Sequence, residues 1–350
     1  MDSHTEQVDD VPEIRFARTG DGVTIAYQVF GQGPPLVWMP SLSNIAVQWR
    51  VPVLRHAYET LGRHVTLVLY DGRGTGGSDR RIDTGDLGVD AHVRDLTGVL
   101  DSAGIQQASL LGYYHSVATA IAFAAAQPAR VPRLVLFGGA ARLREAISPA
   151  QTQALLSLVE QDWGLFASAA AAAWLGWDDA ESGRGVAEVF RTATTATVAQ
   201  AWFAAAREID VTPLLGSVRS PALVLHRQGD EQIPVEVARR LAAGLPDGRL
   251  LELPGSTPTL FIEDAASDLR LVTEFVTTGR AVRTPERSVL TPRERDVLRL
   301  LAAGESNREI ARALGIAVHT VERHSANLYR KIGARGRTDA AAYALRNGLA

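Results

Sequence analysis

The sequence predicts an α/β protein: a parallel β-sheet covered by helices on both faces, interrupted by a helical insertion and followed by a small all-α domain. Three observations predict it. Short apolar runs alternate with helical patterns through most of the chain. That alternation stops between residues 147 and 211. Formal charge also reverses near the C-terminal end. Residues 288–350 carry 11 Lys and Arg against 6 Asp and Glu, a net of +5, which leaves −8 for the rest of a chain whose total is −3.

A length of 350 residues with 46% hydrophobic content suits about two domains at roughly 150 residues each. The absence of cysteine excludes a disulfide framework, a Cys-ligated zinc and a thiol nucleophile. Neither metal nor cofactor is expected. Residues 1–10 are acidic and polar, unlike a signal peptide. The most apolar run, 166–177, is too short to span a bilayer. These features predict a soluble, cytoplasmic protein with no membrane partner. The expected division is a flexible N-terminus (1–13), an α/β body (14–279) with its inserted helices at about 147–211, a linker (280–288) and a helical domain (289–350).

The candidate strands of the body are 36–39, 65–70, 108–111, 134–137, 222–225 and 250–253. Largely apolar strands alternating with helices, among them 89–103 and 116–126, argue for a sheet buried on both faces. The insertion is Ala-rich, carries Trp163, Trp174, Trp177, Trp202 and Phe203, and has no strand pattern. It reads either as a lid or as a helical subdomain that merely packs.

Two glycine-rich stretches carry candidate chemistry. Gly72, Gly74 and Gly77 satisfy G-x-G-x-x-G after a strand, but they run into Ser78-Asp79-Arg80-Arg81 rather than an apolar helix, which argues against dinucleotide binding. Leu110-Leu111-Gly112-Tyr113-Tyr114-His115-Ser116 is strand, sharp turn, helix, the geometry of a nucleophile elbow. Such a turn needs small residues two before and two after its centre. Gly112 and Ser116 satisfy this about Tyr114, whereas a centre at Ser116 would put the bulky Tyr114 on a flank. The predicted elbow is built around a tyrosine.

With Tyr70-Asp71-Gly72-Arg73-Gly74-Thr75-Gly76-Gly77-Ser78 and Leu225-His226-Arg227-Gln228-Gly229-Asp230 followed by Pro234, the body resembles the α/β-hydrolase superfamily. The resemblance implies a serine at the elbow, an acid after a late strand and a histidine after the last strand. Here those positions match Tyr114, Asp230 and Pro258. The histidines are His4, His56, His64, His92, His115, His226, His319 and His324, so none follows the acid within the body. Ser-His-Asp chemistry needs an imidazole to take the hydroxyl proton and return it to the leaving group. A tyrosine hydroxyl of pKa about 10 with no evident base does not supply it. The expectation is a hydrolase fold without hydrolase chemistry, a pseudoenzyme; His115 beside Ser116 leaves an unorthodox pair conceivable.

The resemblance also implies a cleft between elbow and lid, the default place for a small ligand. Tyr113, Tyr114 and His115 would floor it, Ser41 and Leu42 match the loop that gives oxyanion-hole amides, and Trp163, Trp174 and Trp202 would roof it. The alternative is that Tyr114 plugs the vacated site and Asp230 hydrogen-bonds local amides.

In the C-terminal part, Thr291-Pro292-Arg293-Glu294 and Ser306-Asn307-Arg308-Glu309 are capping boxes. Gly304 and Gly315 stop the helices they open; a third helix is expected over 318–332 and a fourth over 339–346. This is a helix-turn-helix pattern. Val321, Leu328 and Ile332 share one face of the third helix, while Glu322, Arg323, Ala326 and Arg330 lie opposite. Together with Thr320-Val321-Glu322-Arg323-His324 and Asn327-Leu328-Tyr329-Arg330-Lys331-Ile332, the string resembles the LuxR-type DNA-binding domain. The resemblance implies that Glu322, Arg323 and Ala326 face bases, that Thr320, His324 and Lys331 meet phosphates, and that the fourth helix dimerises through Ala340, Ala341, Tyr343 and Ala344. Arg323 suits guanine and Glu322 cytosine N4. A lysine is frequent in the family where Glu322 stands, and Ala317 replaces a usual capping serine.

The combined reading is a one-component transcriptional regulator. A small, partly apolar effector binds the body, and the tail binds double-stranded DNA as a homodimer, with RNA polymerase a further partner if the protein activates. Two alternatives stand beside it: an active esterase or hydrolase with an unorthodox nucleophile, and a body used only for dimerisation or docking.

Overall fold

The computed structural model describes residues 11–147, 150–175, 180–280, 290 and 292–346. The expected capping residue Thr291, Trp177 and most of the expected N-terminal and linker segments lie outside them. The chain divides into two compact units, Met1–Ala281 and Val282–Ala350. No described helix is long and apolar enough to cross a membrane.

The first unit is built on an eight-stranded sheet: β1 (Arg15–Arg18), β2 (Thr24–Gly31), β3 (Pro35–Trp38), β4 (Thr66–Tyr70), β5 (Ser109–Tyr113), β6 (Leu134–Phe137), β7 (Ala222–Arg227) and β8 (Gly248–Leu253), in the order β1-β2-β4-β3-β5-β6-β7-β8. From β4 to β8 every pairing is parallel. β1 and β2 form an antiparallel edge that the apolar-run reading missed. Their pattern is diluted by polar residues: β1 is buried only at Ala17, and the wholly buried Gln28 of β2 accepts a 2.9 Å hydrogen bond from Trp49 Nε1. The central strands are buried along nearly their whole length, which is why they read as unbroken apolar runs.

Around the sheet lie α1 (Ile45–Gln48), α2 (Pro52–Gly62), α3 (Val89–Ser102) and α4 (Ser116–Ala126). The insertion follows the short α5 (Arg144–Ile147) as α6 (Ala150–Gln161), α7 (Trp163–Leu175), α8 (Ala180–Ala193) and α9 (Ala196–Glu208). It has its own apolar cluster, including Phe166, Phe190 and Phe203, with Leu42 and Val51 of the body packed into it. α10 (Val235–Gly244) and α11 (Ala265–Thr278) complete the unit.

The glycine-rich stretch after β4 folds back on Asp71, whose carboxylate accepts hydrogen bonds from the backbone N–H of Gly77 at 2.8 Å and Ile45 at 2.9 Å. Gly76 has φ +50°, and a Cβ there would lie 1.9 Å from Asp71 Oδ2. Close approach to a carboxylate accounts for that glycine. Buried Arg73 anchors the same loop to α3, meeting Asp95 at 2.8 Å and Asp21 at 2.9 Å.

A second buried pair braces the loop after β8. Arg227 Nη2 lies 2.5 Å from Asp268 Oδ2, with both side chains almost fully buried. Asp268 also accepts from the N–H of Phe261 at 2.9 Å, and Phe261 stands at φ +69°, a conformation costly for a side-chain-bearing residue.

The second unit holds α12 (Pro292–Ala302), α13 (Asn307–Leu314), α14 (Val318–Ile332) and α15 (Arg337–Arg346) around a core that includes Val297, Leu301, Ile310, Val321 and Leu328.

Removing one partner of a buried ion pair leaves the other charge uncompensated, at a cost of about 3–5 kcal/mol. Asp268→Ala is therefore expected to lower the unfolding free energy of the first unit by about that amount, read from urea denaturation. A loss below about 1 kcal/mol would show that the pair is no brace.

Candidate functional site

The elbow forms where β5 runs into α4. Tyr114 has φ +54°, and Gly112 admits the close approach of the helix: a Cβ there would lie 3.1 Å from Val117 Cα. Across the turn, a Cβ on Gly139 would lie 2.4 Å from Tyr114 O. Ser116 Oγ accepts from the N–H of Tyr113 at 2.9 Å and donates to its carbonyl at 2.8 Å. Its hydroxyl thus closes the turn, and its proton goes to Tyr113 O rather than to His115.

Tyr114 is buried among Ala140, Ala146, Ile233 and Val237, and its hydroxyl donates to Gln232 Oε1. Burial, reinforced by Tyr113 and Asp230, raises its pKa well above the ordinary value, so the phenol is held neutral. Gln232 Nε2 in turn donates to Ala173 O in the last turn of α7 at 3.1 Å. Asp230 Oδ1 accepts from the N–H groups of Gln232 at 2.7 Å and Ile233 at 3.2 Å, while Oδ2 is buried without a protein partner. Burial raises the Asp230 pKa as well. Pro258 offers only its carbonyl, 3.1 Å from Tyr113 Oη. Tyr113 Oη also donates to Thr259 Oγ1 at 3.1 Å, and Thr259 Oγ1 donates to Trp174 O. Two hydrogen-bonded chains therefore run from the elbow to the end of α7: Tyr114–Gln232–Ala173 and Tyr113–Thr259–Trp174. The sequence reading missed Gln232 and Thr259; neither belongs to a motif.

Two adjoining cavities lie under the inserted helices, sharing Met39, Pro40, Ser41 and Tyr70 as walls. The larger, about 110 Å³, is lined by residues including Trp38, Leu42, Tyr58, Tyr113, Trp174 and Phe190. The smaller, about 30 Å³, is lined by Ser41, His115, Thr119, Trp202 and others. Of the expected floor, Tyr113 lines the larger cavity and His115 the smaller, whereas Tyr114 and Asp230 line neither. Of the expected roof, Trp174 and Trp202 face the cavities. Trp163 does not: it stacks on Phe166 at 5.0 Å and donates to Arg191 O at 3.2 Å.

His115 is 5% exposed, its ring centroid 4.4 Å from that of Trp202. Neither ring nitrogen has a hydrogen-bond partner within the protein. Burial, with a smaller contribution from nearby His92, pushes the imidazole pKa down to about 3.

In the second unit, Ser306 and Glu309 form the expected capping box at the start of α13, and Gly315 ends that helix at φ +63°. α14 begins after Ala317, which makes no side-chain cap, and buries Val321, Ser325 and Leu328. Glu322, Arg323 and Ala326 are exposed together, with Thr320 and His324 half-buried beside them. Lys331 Nζ lies 2.8 Å from Oε2 of Glu294, a buried carboxylate on α12. That ion pair ties the two helices, with the Lys331 side chain itself exposed. The expected dimer face needs correction. Ala340 and Ala344 are wholly buried in the domain's own core because α15 packs on α12, whereas Ala341 and Tyr343 are half-buried and Leu345 is 71% exposed.

Comparison with known proteins follows the same division. The pattern of the "alpha/beta hydrolase fold" matches residues 34–265, and that of "Bacterial regulatory proteins, luxR family" matches residues 288–344. A putative carbamate hydrolase, RutD, of Azorhizobium caulinodans is 28% identical over 247 residues, covering 68% of this chain and 89% of its own length. A putative helix-turn-helix transcriptional regulator of Escherichia coli, YhjB, is 48% identical over 63 residues, 17% of this chain; the match spans about a third of that regulator, 32%. Among solved structures, the enol-lactonase of Burkholderia xenovorans superposes with a TM-score of 0.62 at 23% identity, over 75% of this chain and all of the lactonase.

The burial of His115 carries a pH signature. Below its ordinary value of 6.5 the unfolded chain takes up a proton there, while the folded chain stays neutral to about 3. The stability is complete above pH 6.5 and is lost as pH falls toward 3. Moving from pH 7.5 to pH 5 is expected to cost wild type about 2 kcal/mol more than His115→Phe, read from urea midpoints. Equal losses would contradict the neutral buried imidazole.

Proposed function

The chain belongs to the alpha/beta hydrolase fold family and ends in a LuxR-type helix-turn-helix, and from that premise we propose a one-component transcriptional regulator whose hydrolase-fold body senses a small, partly apolar molecule without turning it over. The observation that carries this reading is the elbow. Its stereochemistry is kept at Tyr114, φ +54°, while the groups that would make it a nucleophile are replaced. The phenol is neutral and hydrogen-bonded to an amide, the position expected for the base is Pro258, and the Ser116 hydroxyl is engaged by Tyr113. What such an arrangement retains is a walled cleft with two hydrogen-bonded chains reaching the end of α7.

In this reading the effector enters the larger cavity against Trp174, between those chains and the body. It shifts the lid only to the extent that it binds one lid arrangement better than another. The tail reads a major groove with α14: Arg323 pairs with guanine, Glu322 accepts from a cytosine amine, and Thr320 and His324 flank them toward phosphates. Two copies associate through the outer face of α15, where Leu345 is exposed.

Two measurements test the proposal. Hydrolysis of p-nitrophenyl acetate is expected to stay at the uncatalysed background for wild type and for Tyr114→Phe alike. Saturable turnover abolished by Tyr114→Phe would establish an enzyme instead. Arg323→Ala is expected to weaken binding to the protein's own operator by about 1–3 kcal/mol and to flatten base preference at one position. Unchanged affinity and preference, measured by fluorescence anisotropy on operator variants, would remove Arg323 from base reading.

A further inference from the structure

The two adjoining cavities differ in chemistry, and the difference specifies what they can hold together. The larger is walled mainly by apolar and aromatic side chains, among them Trp38, Leu42, Tyr58, Trp174 and Phe190, with Ser43, Gln48 and Thr259 the polar exceptions outside the shared wall. The smaller contains buried polar atoms that no protein group satisfies: both ring nitrogens of His115, and Ser41 Oγ on the wall the cavities share. Buried polar atoms are nearly always hydrogen-bonded, and a cluster of exceptions inside a cavity marks a place where something else supplies the partner.

We propose that the two cavities form one site for a small uncharged amphiphile. Its single ring or short chain occupies the larger cavity, and one head group that both donates and accepts a hydrogen bond, a hydroxyl or an amide, is read by His115 and Ser41. The inference deepens the sensing function proposed above and rests on it. Size sets the class, because the two cavities, about 110 Å³ and about 30 Å³, together approach without exceeding the roughly 150 Å³ known to admit a benzene ring, which bounds the ligand at about one ring with its head group included.

Charge sets the head group. Burial keeps His115 neutral, so it presents one N–H donor and one bare nitrogen acceptor. The cation lining the smaller cavity, Arg73, is already held by Asp95, Asp21 and Asp86, and His92, which also lines it, faces Asp95 at 3.9 Å. A carboxylate placed there would be buried without a free counter-charge, which costs far more than burying a neutral hydroxyl. A hydrocarbon would leave His115 and Ser41 as they are and gain only the apolar contact.

Isothermal titration of the full-length protein at pH 7.5 with benzyl alcohol, toluene and benzoate separates these cases. Benzyl alcohol is expected to bind roughly 10-fold more tightly than toluene, the worth of its head-group hydrogen bonds, and benzoate more weakly than either. His115→Phe should narrow that gap to roughly threefold, the share left to Ser41, while leaving toluene unchanged. Ser41→Ala, at a half-buried position, should narrow the gap by roughly threefold, and it carries the test alone if His115→Phe fails to fold. Benzoate binding as tightly as benzyl alcohol would overturn the neutral head group. A gap that survives both substitutions would overturn the assignment of its readers. If none of the three binds, the inferred class is wrong. Native mass spectrometry of the purified protein then judges sensing separately: a retained small molecule keeps that function, and its absence removes it.

Discussion

Where β5 passes into α4 the chain has room for one conformation. Helix and strand lie so close that a Cβ on Gly139 would collide with Tyr114 O and one on Gly112 would press on Val117, and Tyr114 is driven to φ +54°. A left-handed backbone at a bulky residue is unfavourable in isolation and persists only where packing imposes it. Here the imposition comes from a helix buried along nearly all of its length and a strand paired on both sides. The floor of the cleft, the direction in which Tyr113 and His115 leave the turn, and the reach of Tyr114 toward Gln232 all follow from that junction.

The surrounding loops are arranged to meet it. The segment after β8 is held by the buried Arg227–Asp268 pair, which also fixes Phe261 at positive φ and so presents Pro258 and Thr259 to Tyr113. The segment after β7 is turned by Asp230, whose carboxylate gathers the amides of Gln232 and Ile233. In a Ser-His-Asp enzyme, corresponding loops pass a proton between side chains. In this chain they pass hydrogen bonds to the carbonyls of α7 among the inserted helices.

Much of this was legible in the sequence, and what was not has physical reasons. Strands such as Leu134–Phe137 read correctly because parallel strands buried on both faces are apolar at every position. The β1–β2 edge was missed because its interior includes Gln28, made acceptable by Trp49 rather than by anything local. The elbow centre followed from the sizes of Gly112 and Ser116, a purely local constraint. Gln232 and Thr259 could not be found that way, since their partners lie 118 and 85 residues away. Trp163 and Trp174 are indistinguishable as letters, yet one stacks on Phe166 within the inserted helices and the other faces the cavity. On α15, small residues at helical spacing suited an outer face as well as a core, and packing on α12 assigned Ala340 and Ala344 to the core.

The carbonyls that receive the two hydrogen-bonded chains, Ala173 O and Trp174 O, belong to the final turn of α7. Carbonyls in the last turn of a helix draw on donors from outside it, and Gln232 and Thr259 supply two such donors from another part of the fold. Any displacement of the end of α7 away from the elbow must therefore break the bonds that its carbonyls accept from the body.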